Sequence, residues 1–371
     1  MSETQMRAAR ASRDNPARRV QAPVTAQRKS THQAPKKKKK TKFFDVGLGL
    51  DMPFCLLVLV LLTIGIIMMF SASYPIAYAE TGDSYYYLKR QIIFAVIGIG
   101  AMIGLSFVNY RIFYRFAKLL LAISYGALIL VLFLPGVNGV HRWIGFTSFN
   151  IQASEITKFC LIVFFAYWGT KYANKMQYMK YSFMPGMIIF GTTAILLILE
   201  PHFSCTVIVF LLILVMLFIS GMDTKYFVLI GILVGAAVLL MWATGLLGYA
   251  MDRLDGWGKA LEYTTSEMWQ TTWQTRNSLY AIGSGGLTGL GLGQSRQKYL
   301  YLPEPQNDFI FSVFCEEMGW IAAFLVLAIF AFLVARGFYI ASKAPDKFSS
   351  LIVVGISTRL AVQTIFNIAV V

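Results

Sequence analysis

The stretch YLPEPQNDFIFSVFCEEMGW at positions 301–320 contains four acidic residues, and three of them, Asp308, Glu316 and Glu317, lie in its apolar part. Asp308 opens its apolar part, and Glu316 and Glu317 follow about two helical turns deeper. A carboxylate at the edge of an apolar segment can act as a general base. A carboxylate deep inside such a segment must be paired with a cation or protonated. Proton transfer is thus one chemistry open to these carboxylates, and the local sequence alone does not assign it to Asp308.

The same stretch also permits a purely structural interpretation. Pro303 and Pro305 break the preceding chain, so Asn307 or Asp308 is well placed to cap the following helix. We further expect at least one of the two deeper glutamates to face the protein interior and to pair with a cation such as Lys158.

A second group of chemically active residues starts with Arg142 and continues with Ser154, Glu155 and Lys158. Glu155 and Lys158 are three residues apart, so they share one face of a helix. An ionisable group about one turn inside an apolar run must face the bundle interior or a wet cavity. Two interpretations stay open: an ion pair that fixes helix packing, or a cationic site in which Arg142 and Lys158 bind an anionic headgroup such as a pyrophosphate.

Glycines at closely repeated positions characterise the stretch AIGSGGLTGLGLGQSRQK at 281–298. The spacing is similar to that of a dinucleotide-binding turn, but no strand–helix–strand unit surrounds it, and we reject that function. We expect the glycines to supply tight turns and close backbone approach. Arg296 and Lys298 suggest contact with an anion. Pro201 predicts a turn at Glu200-Pro201-His202, with Glu200 at the end of a span, and a polar hairpin tip is its structural interpretation.

The elements that must position these residues are membrane helices. The chain of 371 residues is 57% hydrophobic and 14% charged, well below the roughly 25% charged residues of soluble domains. Its long, continuously apolar runs predict an all-α, polytopic transmembrane helical bundle rather than a barrel. Nine spans are visible, near 52–72, 91–108, 112–134, 156–169, 182–199, 204–220, 226–247, 308–335 and 350–371.

The charge distribution predicts the orientation of the bundle. Residues 1–42 hold 13 Lys or Arg against Glu3 and Asp14, within a formal net charge of +15. We expect a disordered basic tail at 1–45 on the cytoplasmic side, near anionic lipids, without nucleic-acid binding. The transmembrane domain then occupies 46–371, with a large extracytoplasmic loop at about 248–307. The four cysteines show no metal-ligand spacing, so we interpret them as core residues and expect no metal site of their own.

These stretches together resemble the SEDS family (shape, elongation, division and sporulation). The resemblance runs from about residue 50 to the end of the chain. The matching pieces are FSASYPIAY, placed after the first span, GVNGVHRWIGF, IQASEITK, SLYAIGSGGLTGLGLGQSRQKYLYLPEPQNDFIFSVFCEEMGW and FNIAVV. Members of the family have ten spans, so nine of an expected ten are visible, and we expect the C-terminus to be truncated. The long basic tail favours the division-type (FtsW-like) branch over the elongation-type (RodA-like) branch.

What the resemblance implies is a peptidoglycan glycosyltransferase of the bacterial cytoplasmic membrane. It would polymerise lipid II on the outer face, in division or shape maintenance, as an inverting hexosyltransferase with an undecaprenyl-pyrophosphate leaving group. The essential Asp of the PE…DFIF motif maps onto Asp308. The Arg and Lys of the RWI…SE..K motif map onto Arg142 and Lys158, with Glu155 between them. A divalent cation (Mg or Mn) is an open expectation.

The resemblance also implies partners: a class B penicillin-binding protein that supplies the transpeptidase, and other divisome or elongasome membrane proteins. Substrate contact is expected from Arg142, Glu155, Lys158, Arg296 and Lys298, and support from Ser154, Glu316 and Glu317. The family's PDLGT hairpin reads PHFSCT at 201–206, and its QPSE reads QASE. A lipid II flippase or transporter, and a non-catalytic divisome scaffold, remain the alternatives.

Overall fold

The structure, a computed structural model, describes residues 50–134, 142–145, 151–245, 261 and 272–369. The basic tail at 1–45 lies outside the described residues, as do 246–260 and 262–271 of the long loop. All of the described residues belong to one compact unit, Lys42–Val371.

The described residues form ten α-helices, one short 3₁₀ turn and a two-stranded antiparallel sheet. The helices are α1 (Met52–Thr81), α2 (Tyr86–Ser106), α3 (Arg111–Phe133), α4 (Ala153–Lys171), α5 (Phe183–Leu199), α6 (Phe203–Ser220), α7 (Thr224–Ala243), α8 (Trp273–Gly285), α9 (Ile310–Ser342) and α10 (Lys347–Ala369). The strands are β1 (Trp143–Ile144) and β2 (Ile151–Gln152), in which Trp143 pairs with Gln152, and the 3₁₀ turn is Ala173–Lys175.

Nine of these helices lie at the nine predicted spans, and α8 lies within the predicted long loop. Seven of them are long and apolar enough to cross a membrane: α1, α2, α3, α6, α7, α9 and α10. Helix α5 is apolar but has only 17 residues. Helix α4 has 19 residues and carries Glu155 and Lys158. The predicted all-α, polytopic membrane fold is confirmed.

Polar contacts show which helix ends lie together. At one end, Arg336 of α9 donates to both carboxylate oxygens of Asp51 at 3.1 and 2.7 Å. At the same end, Tyr110 donates to Asp346 at 2.7 Å, and Lys347 donates to the Ser220 carbonyl at 3.0 Å. We call this the charged end. The opposite end, where α4 and α9 begin, contains the predicted functional residues and is called the site end.

Helix α1 is longer than the first predicted span. Asp51 caps its start by accepting a hydrogen bond from the Phe54 backbone N–H at 3.0 Å, and the helix runs to Thr81 before Gly82 ends it with φ +71°. The FSASYPIAY stretch, expected after the span, forms the last turns of the helix, so that placement is wrong. Pro75 lies inside the helix, which neighbouring polar groups permit in membrane proteins.

The main core lies between α3, α4, α5, α6 and α10. Its close packing depends on small residues: a Cβ added at Gly355 of α10 would lie 2.5 Å from a side-chain carbon of Ile162 in α4. By contrast, α2 has no buried residue and α7 has one, Ile230, so both present most of their surface to lipid. Cys160, Cys205 and Cys315 are buried free thiols, which confirms their interpretation as core residues, whereas Cys55 is only half-buried.

Candidate functional site

Asp308 is exposed at the site end, two residues before the start of α9. The N-cap position of α9 is Phe309, and no side chain caps the helix. The predicted capping role of Asn307 or Asp308 is therefore wrong. Asn307 instead donates its side-chain amide to Glu304 at 2.9 Å. The carboxylate of Asp308 is thus presented to the surface without a structural role in the helix.

The helix that follows Asp308 is broken at Gly319, which has φ 75° and ψ 177°. The break leaves backbone groups without partners inside the helix, and the glycine-rich segment 286–291 binds them. Leu290 and Gly291 donate to the carbonyls of Glu316 and Glu317, both at 2.9 Å. In return, the N–H groups after the break donate to this segment at 3.0 and 3.2 Å. The first part of α9 is therefore a separate short helix clamped by the glycine-rich segment.

Two glycines make this clamp possible. A Cβ added at Gly289 would lie 2.2 Å from the Glu317 carbonyl oxygen, and one at Gly319 would lie 2.4 Å from the Gly289 nitrogen. Both positions also have positive φ, which glycine adopts without strain. The sequence-based expectation of tight turns and close backbone approach is confirmed at these positions.

Glu317 is fully buried and pairs with Lys298, also fully buried, at 2.8 Å. Ser71 of α1 donates to the same carboxylate at 2.8 and 2.7 Å, and the Ser295 N–H donates at 3.3 Å. Lys298 also donates to the Gly293 carbonyl at 2.8 Å. The prediction of an interior glutamate is confirmed, but the suggested partner Lys158 is wrong, because Lys298 occupies that position.

Glu316 is 1% exposed, and its carboxylate accepts hydrogen bonds from residues 295–297. Ser295 donates its hydroxyl to the carboxylate at 2.5 Å, and the backbone N–H groups of Arg296 and Gln297 donate at 3.0 and 3.4 Å. The side chain of Arg296 is exposed and stays a candidate for anion contact. The ammonium group of Lys298 is buried against Glu317, and its expected contact with a substrate anion stays a prediction.

The predicted pair on α4 is present. Lys158, 1% exposed, lies 2.6 Å from Glu155, and its Nζ donates to Gln363 of α10 at 2.9 Å. Glu155 is about one-third exposed and also binds Arg359 of α10, whose side chain is 30% exposed. Lys158 thus lies behind Glu155 and fixes its position. Arg359 is the partly exposed cation that pairs with Glu155 at the surface.

Arg142 joins the strand β1 to the turn between α5 and α6. Its Nε donates to the Glu200 carbonyl at 3.1 Å, and its Nη2 donates to the Pro201 carbonyl.

The Glu200 side chain is fully buried, and its carboxylate has no hydrogen-bond partner among the described residues. Burial raises the pKa of Glu200 to about 7, although the charge of Arg142 opposes this. Burial, aided by Arg142, lowers the pKa of His202 to about 4, so His202 is neutral at neutral pH. Ser154, at the start of α4, is also buried without a partner for its hydroxyl in the described chain.

A cavity of about 800 Å³ opens next to the segment that carries Asp308, although Asp308 itself is not among the residues that line it. Its walls are residues of α1 and α2, the Trp143 ring next to Arg142, and Gln306, Asn307 and Ile310, which bracket Asp308. We call it the α1–α2 cavity. Residues of the strand that follows Arg142 and of the segment that carries Asp308 therefore line the same opening.

Within the described residues, no group of three or more His, Cys, Asp or Glu could hold a metal ion. The divalent cation stays an expectation from the sequence, and no step below is assigned to one. Sequence reasoning missed Ser71, Arg359 and Gln306. Arg359 could have been found, because an ionisable residue inside an apolar run is a functional signal.

Comparison with known proteins places this geometry in context. The FtsW/RodA/SpoVE family model, described as "Cell cycle protein", matches residues 52–371. The chain is 37% identical over 327 residues to stage V sporulation protein E of Bacillus subtilis, covering 86% of this chain and 87% of that protein. It is 34% identical over 326 residues to a probable peptidoglycan glycosyltransferase FtsW of Trichlorobacter lovleyi, covering 86% and 84%.

Solved structures show the same fold. A chain from a peptidoglycan synthase complex, described as coordinating polymerization and crosslinking, matches with a TM-score of 0.69 at 21% identity, covering 87% of this chain and 88% of that one. The rod shape determining protein RodA of Thermus thermophilus matches with a TM-score of 0.59 at 22% identity, covering 87% and 85%.

Proposed function

Because this chain belongs to the FtsW/RodA/SpoVE family of cell cycle proteins, we propose that it is a peptidoglycan glycosyltransferase that polymerises lipid II. The observation that carries the proposal is the exposed carboxylate of Asp308, on a segment that lines a large cavity at the site end. The names of its relatives, probable peptidoglycan glycosyltransferases FtsW, support the same reaction class.

In the proposed reaction, Asp308 is the general base. It accepts the proton of the 4-hydroxyl of a lipid-linked acceptor sugar as that oxygen attacks the anomeric carbon of the donor. A carbon–oxygen bond forms at that carbon, and its bond to the donor pyrophosphate oxygen breaks. The configuration inverts, and undecaprenyl pyrophosphate leaves with the bonding electron pair. The clamped first part of α9 supports the fixed position that a general base needs.

Negative charge develops on the departing pyrophosphate, and cations at the site end would offset it. Arg142 and Arg359 are the partly exposed candidates, and the exposed Arg296, five residues after the glycine-rich segment, is a third. Lys158 acts indirectly, since it is buried behind Glu155 and holds that carboxylate against Arg359.

The proposed setting is the bacterial cytoplasmic membrane, with the charged end and the N-terminus in the cytoplasm and the site end outside. Exposed Lys and Arg residues of α3 and of the α4–α5 turn, and Lys343 directly after α9, lie at the charged end, as expected for a cytoplasmic face. A transpeptidase of the penicillin-binding class is the proposed partner, supported by the described coordination of polymerization with crosslinking in a complex of the same fold.

Purified protein reconstituted with lipid II tests the proposal. A polymerase makes glycan strands that separate as a ladder on a gel, in protein-containing vesicles but not in empty ones. Movement of labelled lipid II between leaflets without strand growth would instead identify a flippase. Absence of both activities, with division restored in cells by an Asp308→Ala variant, would identify a scaffold.

A further inference from the structure

The α1–α2 cavity has a polar mouth and an apolar interior. Tyr87, Arg90 and Gln91 of α2 line it near the site end, and Phe94 lines it one turn deeper. From Tyr87 to Phe94 the helix rises about 10 Å. The facing wall is the apolar surface of α1, formed by Leu61, Leu62, Ile66 and Met69. A ligand that fits this gradient is polar at one end and hydrocarbon at the other.

Gln306 provides an independent sign of a ligand. It lines the cavity, only 8% of its surface is exposed, and its side-chain carbonyl oxygen has no hydrogen-bond partner among the described residues. Its amide nitrogen is already bound to Glu304 at 2.8 Å, which fixes the orientation of the group. A buried carbonyl without a donor costs free energy, so a hydroxyl or N–H group of a ligand would stabilise it.

The other polar groups of the mouth suit a sugar phosphate. The Trp143 ring is 43% exposed and can cover the apolar face of a sugar. Arg90, which donates to the Tyr86 hydroxyl at 3.2 Å and stacks on that ring, brings a fixed positive charge to the cavity wall. Arginine is suited to binding phosphate oxygens.

We propose that the α1–α2 cavity is the acceptor subsite: it binds the polyprenyl-linked saccharide whose hydroxyl is deprotonated by Asp308. The sugar lies against Gln306 and Trp143, the phosphates lie beside Arg90, and the first isoprene units lie on α1. This inference rests on the proposed function.

The position of the cavity relative to Asp308 indicates that it binds the acceptor rather than the donor. A base must be within hydrogen-bond reach of the proton that it removes, and Asn307 and Ile310, on either side of Asp308, line this cavity. The ion pair of Glu155 and Arg359 lies on α4 and α10, and neither residue lines the cavity. That pair is left for the donor pyrophosphate.

A two-substrate assay tests the assignment. A 4-deoxy analogue of lipid II lacks the attacking hydroxyl, so it serves only as donor, and radiolabelled lipid II is varied as acceptor. Gln306→Leu should raise the acceptor KM by about fivefold or more through loss of one buried hydrogen bond, with the donor KM unchanged. Arg90→Met should act in the same direction, and so should Trp143→Ala.

Two matched controls separate this effect from general damage. Lys89 precedes Arg90 but pairs with Asp83 on the surface, and Trp320 is 49% exposed on the far side of the α9 break. Lys89→Met and Trp320→Ala should leave both KM values unchanged. Melting temperatures of all variants report whether folding is affected.

A rise in donor KM instead, an equal rise in both, or no rise in either would overturn the inference while wild-type protein still polymerises. Failure of the wild-type protein to polymerise lipid II would overturn the proposed function. In that case, photolabelling with lipid II that carries a photoreactive group in its first isoprene units tests whether the cavity binds a lipid-linked saccharide. Labelling of α1 and α2 peptides supports a lipid-linked saccharide site, and labelling elsewhere contradicts it.

Discussion

Replacing Lys298 by methionine removes the cation that pairs with Glu317, while keeping a long, flexible side chain in the same space. Both partners are fully buried, 2.8 Å apart, and the pair lies between the glycine-rich segment and α1. Removing one partner of a buried pair leaves an uncompensated charge and costs about 3–5 kcal/mol. Ser71 still donates its single hydroxyl proton to the carboxylate, lying 2.8 and 2.7 Å from its two oxygens, so the lower part of this range is expected.

The assay is equilibrium unfolding of purified protein in mixed micelles, with the free energy of unfolding compared across four chains: wild type, Lys298→Met, Glu317→Gln and the double variant. Because the two residues are in direct contact, their effects should not be additive. The double variant has no buried charge left at this position and should lose less stability than the two single losses together.

The exposed pair of Lys89 and Asp83 provides the control, with side-chain exposures of 67% and 40%. Lys89→Met should leave the unfolding transition unchanged, since exposed pairs contribute little. If Lys298→Met is as mild as Lys89→Met, or if the two single effects add fully in the double variant, the reasoning about the buried pair is refuted.

Three further predictions concern the clamp, the α5–α6 turn and the cationic surface. Gly319→Ala should destabilise the protein and reduce polymerisation, because its Cβ would lie 2.4 Å from a backbone nitrogen. Gly98→Ala, with open space around it, should do neither. Equal melting temperatures for the Gly319→Ala and Gly98→Ala variants would contradict this prediction. Burial raises the pKa of Glu200 from 4.5 to about 7, so the folded protein binds the proton of this carboxyl more tightly than the unfolded chain does. The folded protein therefore loses stability as the pH rises from 4.5 to about 7. Glu200→Gln should therefore raise the melting temperature above about pH 7 and leave it unchanged below about pH 4; the same shift at both pH values would exclude this cause. Arg359→Met should lower the polymerisation rate by about a hundredfold if it stabilises the departing pyrophosphate, whereas Arg115→Met, at the charged end, should not; equal rates for the two variants would argue against that role.

The helices, and the pair within α4, were predictable from the sequence because their signals are local. Apolar runs of sufficient length mark the spans, and three-residue spacing places Glu155 and Lys158 on one face. The end of the first span was missed because the polar letters of FSASYPIAY suggest a loop. In the structure, Ser71 of that stretch instead contacts Glu317 in the protein interior.

The pairing of Glu317 with Lys298 was not predictable, because it depends on the break at Gly319. A glycine inside an apolar run is common in membrane helices, and nothing in the sequence indicates that its neighbours bind segment 286–291. The α1–α2 cavity was missed for a similar reason. Its walls come from residues more than two hundred positions apart, and the missing partner of Gln306 becomes visible only when its surroundings are known.

Polymerisation of lipid II by an Asp308→Asn variant tests the central claim most directly. The variant keeps the size of the side chain but cannot accept a proton, and loss of a general base lowers rates by about 10²–10⁴-fold. We predict a loss of this size, with an unchanged melting temperature because Asp308 is exposed and does not cap α9. Asp83→Asn, an exposed carboxylate on the α1–α2 turn, should retain the wild-type rate. An Asp308→Asn protein that extends glycan strands as fast as the wild type would contradict the account.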